Sequence, residues 1–534
     1  MQGYVRSSVV MALSLIASVP AQEQQTIKST SRLVQVNVLV RDGNGNPLTN
    51  LTKDDFTLQV SGKPHPIQLF SAERNAAPGL TPAQPAPQIL SNRSLPDQPN
   101  LVIVLFDELN TTAMDVATAR KHLLHVFTNP ELNSRTALYV LGNELKILRD
   151  FIVDRAALAA AVAAHPSAPQ FVTIGSELGD LADAVAPAAA TAMGRADLMV
   201  QDARDAHRVR VTLGALETIA AHVAGIPGRK TLIWVTGGLP FIIGFDPETF
   251  NQARVGERNL YAEALQATRM LSESDVTIDV VDARGVQTDD QSDLRRRRSA
   301  SGRYGETAFK VDRNYDTMVA AAKETGGEVF RNTNDIGRAV ERAIEASSVT
   351  YTLGFYVPSG DLDGRFHPIK VSVKQRGTQP RCRTGFLATP DVLSDKQVSG
   401  PLQSLLGSPL SRSDISLRLE IRPEAANRLK LTVHIGPEGM TLTEENGKWN
   451  GTFEWMAASG RNGAYDTPGR QLKVSLNGEA YRDFMAHGLT VNQIISSGEG
   501  DNEVGVAIRD AGSGAIGTLR LFRRISPAAI GTQR

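Results

Sequence analysis

The sequence predicts an α/β protein: a doubly wound, mostly parallel sheet flanked by β-rich N- and C-terminal domains. Three observations carry this. Leu101-Val102-Ile103-Val104-Leu105-Phe106 is an unbroken apolar run, the pattern of a strand buried on both faces. Similar runs recur at Ala137–Leu141, Lys230–Val235 and Val276–Val281, with a weaker one at Glu328–Phe330, and helical periodicity fills the intervals. On either side the pattern reverts to short alternating strands broken by turn residues.

Bulk properties narrow the function. At 534 residues the chain is too long for a single core. Lys plus Arg and Asp plus Glu each total 57, so the basic excess that phosphate neutralisation demands of a nucleic-acid binder is missing. The single cysteine, Cys382, excludes internal disulfides and cysteine-based zinc clusters.

The elements follow in order. Arg6, the apolar stretch Val9–Val19 and the small residues before Gln22 have the order of an export signal over 1–21, with cleavage expected after Ala21. The apolar stretch is shorter than the roughly 20 residues a spanning helix needs, no later stretch in the mature chain is transmembrane, and no cysteine near the cut could carry a lipid. The expected location is secreted or periplasmic, at the cell envelope. Residues 31–71 alternate as strands around the turn cluster Asp42–Pro47, where Pro47 and Lys53 stand at positions a calcium loop would give to Gly and Glu. Residues 72–99, rich in Ala, Pro, Gln and Ser, read as a linker.

The α/β domain is expected over 100–349. Its helices are read at Ala113–Phe127, Asp205–Val223, Asn259–Leu271, Tyr315–Glu324 and Asp335–Ala346, and the Ala-rich stretch Ala156–Asp202 as an irregular insertion. A β extension over 350–388, a linker over 389–411 and a β-sandwich-like domain over 412–525 complete the chain.

Open parallel sheets bind ligands beyond the carboxyl ends of their strands. The first such end is Phe106-Asp107-Glu108-Leu109-Asn110-Thr111, where an acidic residue caps a buried strand. This segment resembles the opening of von Willebrand factor A domains, strand-Asp-x-Ser-x-Ser, the metal-ion-dependent adhesion site. The wider resemblance is to the von Willebrand A-related proteins of Acidobacteria and covers roughly residues 31–390. It is carried by Pro227-Gly228-Arg229-Lys230-Thr231-Leu232-Ile233-Trp234-Val235-Thr236-Gly237-Gly238-Leu239-Pro240, Ile278–Gly285, Tyr351–Tyr356, Gly364–Val371 and the region of Asp54-Asp55-Phe56. The resemblance implies a Rossmann-like core, a binding role in adhesion and a divalent cation, usually Mg2+, held by an Asp, two hydroxyls, a loop Thr and a later Asp.

The metal pattern is degenerate. Asp107 and Thr111 match it, and Thr173 matches the loop threonine by rough position. Leu109 replaces the first Ser, and Thr236-Gly237-Gly238 replaces Thr-Asp-Gly. Weak Mg2+ binding at Asp107, Thr111 and Thr173, with Glu108 or Asp282 compensating, is one reading; no metal is the other. In the latter, Asp107 caps the next helix and hydrogen-bonds the glycine turn. The expected binding face is Asn110, Thr236, Gly237 and Gly238, taking a protein or cell-envelope ligand; nothing in the sequence sets an oligomeric state.

Catalytic motifs are missing. The sequence holds no Gly-x-Ser-x-Gly elbow, Walker loop, His-Glu-x-x-His or dinucleotide fingerprint. His122 and His125 lack a third ligand, and Arg295–Arg298 reads as a solvated loop. The expectation is a non-enzymatic binding protein. The alternatives are an envelope scaffold without ligand, or a hydrolase using Asp107, Asp282 and Asp246.

Overall fold

The computed structural model describes residues 31–74, 89–93, 101–129, 134–166, 187–238, 261–285, 317–358, 361–388 and 402–522, less positions 44, 227, 332, 334, 347, 348, 426, 427, 462, 463, 466–468 and 497–502.

The chain begins with β1 (Ser31–Arg41), β2 (Phe56–Val60), β3 (Lys63–His65), β4 (Leu69–Arg74) and the short β5 (Ile89–Ser91). The α/β layer follows as β6 (Leu101–Asp107), α1 (Ala113–Thr128), β7 (Thr136–Leu141), β8 (Leu145–Ile152), α2 (Arg155–Ala164), α3 (Pro187–Val223), β9 (Lys230–Thr236), α4 (Tyr261–Glu273), β10 (Val276–Asp282), α5 (helical over 317–325), β11 (Val329–Phe330) and α6 (Ile336–Ala346). Its six-stranded sheet has the order β11-β10-β9-β6-β7-β8. Every pairing is parallel except that of edge strand β8 with β7. The sheet is therefore mixed.

Both faces of this sheet are buried, as the unbroken apolar strands require. Leu101, Ile103, Leu105 and Trp234 pack with α3, α4 and α5 through Leu216, Ile219, Ala267, Leu271 and Met318. Val102, Val104, Ile233 and Val235 pack with α1, α2 and α6 through Leu123, Leu158 and Val340. The Ala-rich segment read as irregular contributes α2 and the start of α3. Alanine carries high helix propensity without an apolar stripe, so periodicity missed both.

The chain then returns to its beginning. β12 (Val349–Pro358) lies between β1 and β4, with β14 (Gln379–Arg381) on the far side of β1, while β13 (Phe366–Val373) pairs with β2 and β15 (Gly385–Leu387). Val36, Val38, Leu58, Tyr351, Phe355 and Val371 fill one core between the two sheets. The segments 31–71 and 350–388, read separately in the sequence, thus form one unit. Its long-range pairing leaves no local pattern.

The C-terminal unit holds α7 (Leu402–Leu406), β16 (Leu417–Ala425), β17 (Arg428–Ile435), β18 (Thr443–Glu445), β19 (Lys448–Gly460), β20 (Arg470–Leu476), α8 (Gly478–His487), β21 (Leu489–Ser496), β22 (Glu503–Asp510) and β23 (Ile516–Phe522). Two sheets, β21-β17-β16-β5 and β18-β19-β22-β23 with β20 beside β19, share the core of Leu419, Leu431, Phe453, Trp455 and Val506. Both expected linkers need correction. Residues 72–99 include β5, which pairs with β16, and residues 389–411 include α7 and the buried Leu410. Their apolar residues are too few to mark a pattern alone and are recruited by cores elsewhere. No helix among the described residues is long and apolar enough to cross a membrane.

Where the N-terminal unit meets the α/β sheet, charges are buried. Glu328 accepts from Arg41 at 2.9 Å and pairs with Arg381, and its backbone N–H donates to Asp279 Oδ1 at 2.7 Å. Burial pushes the Asp279 carboxyl up to about 6, against the pull of the Arg229 charge. A carboxyl with a higher pKa folded than unfolded binds more protons in the native state between the two values. The contribution of Asp279 to stability should therefore fall as pH rises from the ordinary 3.8 through about 6, and be flat above that window. Asp279→Asn keeps an acceptor for the Glu328 amide and should flatten this slope, read from urea midpoints between pH 4 and 7. An unchanged slope would assign it to another group.

Candidate functional site

The order of the sheet reverses at its first strand. From β6 the chain passes through α1 on one face to β7, whereas β9 leads through α4 on the other face to β10. The carboxyl ends of the adjacent strands β6 and β9 therefore form a topological switch point, where such sheets place ligands. Asp107 ends β6 and Thr236 ends β9.

Asp107 is fully buried. Its Oδ1 accepts the backbone N–H of Asn110 at 2.9 Å. Its Oδ2 accepts the Asn110 Nδ2 at 2.9 Å, the Trp234 indole Nε1 at 3.0 Å and the Thr236 hydroxyl at 2.8 Å. Burial raises the carboxyl pKa, and these donors work against that rise.

The network extends outward from there. Asn110 Nδ2 also donates to Thr212 Oγ1 on α3 at 2.9 Å, and Asn110 Oδ1 accepts from Arg208 Nε at 3.1 Å. Thr111 Oγ1 accepts the Gly237 N–H at 2.8 Å, and Thr236 Oγ1 accepts the Gly238 N–H at 3.1 Å. Gly237 has no room for a side chain: a Cβ there would lie 2.8 Å from the Asn110 carbonyl oxygen.

The structure thus brings together Asp107, Asn110, Thr111, Thr236, Gly237 and Gly238. Thr173 and Asp246 lie outside the described residues, as do Arg295–Arg298. Three expectations change. Asp107 does not cap α1; Thr112 does, accepting the Asp115 N–H at 3.3 Å, because Asp107 is drawn inward to the indole and the Thr236 hydroxyl. Asn110, Thr236, Gly237 and Gly238 are buried rather than surface contacts, since the network draws the two loops together. Neither Glu108 nor Asp282 supplements Asp107. Glu108 Oε2 pairs with His165 Nε2 at 3.3 Å, and Asp282 is clamped by Arg284, whose Nε and Nη2 donate to its two oxygens at 2.8 and 2.7 Å.

Magnesium takes oxygen ligands in near-octahedral geometry. Here both Asp107 oxygens receive N–H or O–H donors, the Thr111 oxygen receives an amide, and Leu109 packs against the apolar core. Among the described residues no group of three or more His, Cys, Asp or Glu is gathered for a metal. Among the described residues, those arranged around Asp107 do not fit such a cation.

Sequence reasoning missed Trp234, Thr212 and Arg208. Trp234 belongs to the apolar core, and its indole N–H is also a partner of Asp107. Thr212 and Arg208 come from a helix a hundred residues away, and no local motif marks them.

No family model and no curated protein matches the chain. Several solved structures resemble it. An aerotolerance-related membrane protein from Bacteroides fragilis is 15% identical, with a TM-score of 0.25, over 46% of this chain and 98% of that one. A manganese-loaded TRAP protein from Plasmodium vivax is 11% identical, with a TM-score of 0.24, over 60% of this chain and 98% of its own. A von Willebrand factor type A protein from Catenulispora acidiphila is 12% identical, with a TM-score of 0.20, over 86% and 74%. Likenesses this distant carry no functional argument.

Proposed function

We propose that the chain is an exported, non-enzymatic binding protein of the von Willebrand A-related kind, which recognises a protein or cell-envelope ligand at the switch point between β6 and β9 without requiring a divalent cation. One observation carries this reading. The buried Asp107 carboxylate takes four hydrogen bonds that tie the loop leaving β6 to the end of β9. A fully satisfied buried network makes a rigid platform, and rigid platforms present loops for recognition.

Two side chains at this edge suit ligand contact. Met114 at the start of α1 is 80% exposed. Arg208, half-buried, holds Asn110 and Asp205 with Nε and Nη1, and its guanidinium is the positive charge in this hydrogen-bond network. Asp205 offsets that charge at 3.3 Å, so an acidic group on the ligand would be met by the guanidinium N–H groups that Asn110 and Asp205 leave over. Against catalysis stands the lack of a nucleophile with its base among the described residues here, together with the clamping of Asp282 by Arg284.

The test is affinity capture of a purified acidic envelope component, or of envelope extract, on the immobilised chain. Retention should persist in EDTA and drop at least tenfold with Arg208→Glu. Loss of retention in EDTA would restore a metal-dependent site. Retention unaffected by Arg208→Glu would move the face elsewhere, and no retention at all would favour the scaffold.

A further inference from the structure

The last turn of α3 carries His222, buried where the α/β domain meets the C-terminal unit. Its two ring nitrogens face different parts of the molecule. Nδ1 lies 2.7 Å from the carbonyl oxygen of Ser411, in the segment that leads into the C-terminal sheets. Nε2 lies 3.3 Å from Asp150 Oδ2 on β8 of the α/β domain. The Phe151 ring lies nearly parallel to the imidazole, 6.0 Å between centroids.

A carbonyl oxygen and a carboxylate oxygen both accept. A neutral imidazole has one N–H and one lone pair, so it donates to one of them and turns a lone pair on the other. Only the imidazolium donates to both. Its surroundings favour that form. The C-terminal end of a helix attracts positive charge, and among the described residues Asp150 is the charged group that acts on the ring. The Tyr139 hydroxyl on β7 holds the other oxygen of Asp150 at 2.7 Å. Across the junction, Arg412 and Asp414 pair with each other at 2.8 Å, and Arg93 donates to the Ser413 and Asp414 carbonyls. Burial lowers the His222 pKa, but Asp150 and the Ser411 carbonyl together raise it above the ordinary 6.5.

We propose that His222 is a proton-operated catch between the two units: the charged ring holds the segment at Ser411 against the α/β domain, and loss of its proton loosens the C-terminal unit. A group whose pKa is raised by folding stabilises fully below its ordinary value, and that contribution is lost as pH rises through the folded value. Docking should therefore be tightest below pH 6.5 and weaken above the raised pKa. The bonds of Ser413 to Gly225 and to the His222 carbonyl do not titrate, so the unit loosens rather than detaches. The catch is separate from the network around Asp107 and stands whether or not the switch point binds a ligand.

The experiment is histidine-ring NMR and amide hydrogen exchange on the full chain from about pH 5 to 9. The His222 signal, assigned by its loss in His222→Gln, should titrate above 6.5, and Asp150→Asn, at a side chain 43% exposed, should bring its midpoint down. The Gly225 amide, which donates to Ser413 Oγ, reports the junction. After correction for the intrinsic pH dependence of exchange, its protection should fall about tenfold through the His222 midpoint, the worth of one charge-assisted hydrogen bond. That fall should begin at lower pH in Asp150→Asn and vanish in His222→Gln. Three results would overturn the proposal: a wild-type midpoint at or below 6.5, protection that is level across the window, or a midpoint that Asp150→Asn leaves in place.

Discussion

Replacing Asp107 by alanine is expected to destabilise the protein by about 4 kcal/mol, because it strands buried donors that cost on the order of 1–3 kcal/mol each when left without a partner. The donors are the Asn110 amide and Nδ2, the Trp234 indole and the Thr236 hydroxyl. Asn110 Nδ2 and the backbone can shift partly to other acceptors, Thr212 Oγ1 among them, which keeps the sum below the full total. The carboxylate itself is held buried at a cost, shown by its raised pKa, so its removal returns part of the loss. Asp107→Asn keeps one acceptor oxygen but turns an amide N–H2 toward donors, and should cost about half as much. Urea unfolding followed by tryptophan fluorescence measures both. An alanine variant within about 1 kcal/mol of the wild type would mean the network adds only an ordinary hydrogen bond's worth of stability. Magnesium should leave the wild-type midpoint where it is; an upward shift would show a site that binds the ion in the native state.

The second large effect is expected at Gly225. A Cβ there would lie 1.6 Å from the Ser413 carbonyl oxygen and 2.7 Å from Arg93 Nη2. Backbone cannot give way as a flexible side chain does, so Gly225→Ala should cost 3 kcal/mol or more, on the order of the largest overpacking penalties. The damage should be directional. Gly225 N–H donates to Ser413 Oγ at 3.1 Å, and the neighbouring His222 ring bonds the Ser411 carbonyl through Nδ1 at 2.7 Å and pairs through Nε2 with Asp150 at 3.3 Å. The contacts of Gly225 with Ser413 and of His222 with Ser411 dock the C-terminal unit on the α/β domain, and Asp150, within that domain, holds the His222 ring in place. Differential scanning calorimetry should therefore show one transition in the wild type dividing into two in the variant. A single transition, merely shifted, would argue that docking does not depend on this contact.

Much of the α/β core was legible because its signal is local. Leu101–Phe106 has no polar residue to turn toward solvent, so only a strand covered on both faces suits it. Edge strand β8 was not, since Leu145–Ile152 mixes exposed charges with half-buried apolar residues in no clear alternation. At the candidate site, Asp107 and Thr111 could be found from their place after a buried strand. Their partners could not: a tryptophan in an apolar strand looks the same whether or not its N–H meets a carboxylate. The exposure expected of Gly237 and Gly238 failed for a related reason, because a glycine-rich turn marks close backbone approach without saying whether the approaching group is ligand or protein.

The small strand β5 has a consequence for how the chain is held together. Ile89–Ser91 completes a sheet whose other members begin at Leu417, and Asn92 fixes the junction by donating to the carbonyls of Arg412 and Ile415 and accepting the Leu417 N–H. The α/β layer is thus bracketed at both ends by one module, like a bead on a closed clasp. A peptide cut from Arg412 onward would leave without its edge strand, exposing unpaired backbone that invites association with a second copy. Conversely, a single nick within the bracketed region need not release either fragment, because the clasp joins them without a covalent link. The module at the C-terminus is best regarded as built from segments on both sides of the α/β layer, and its borders in the sequence are not its borders in space.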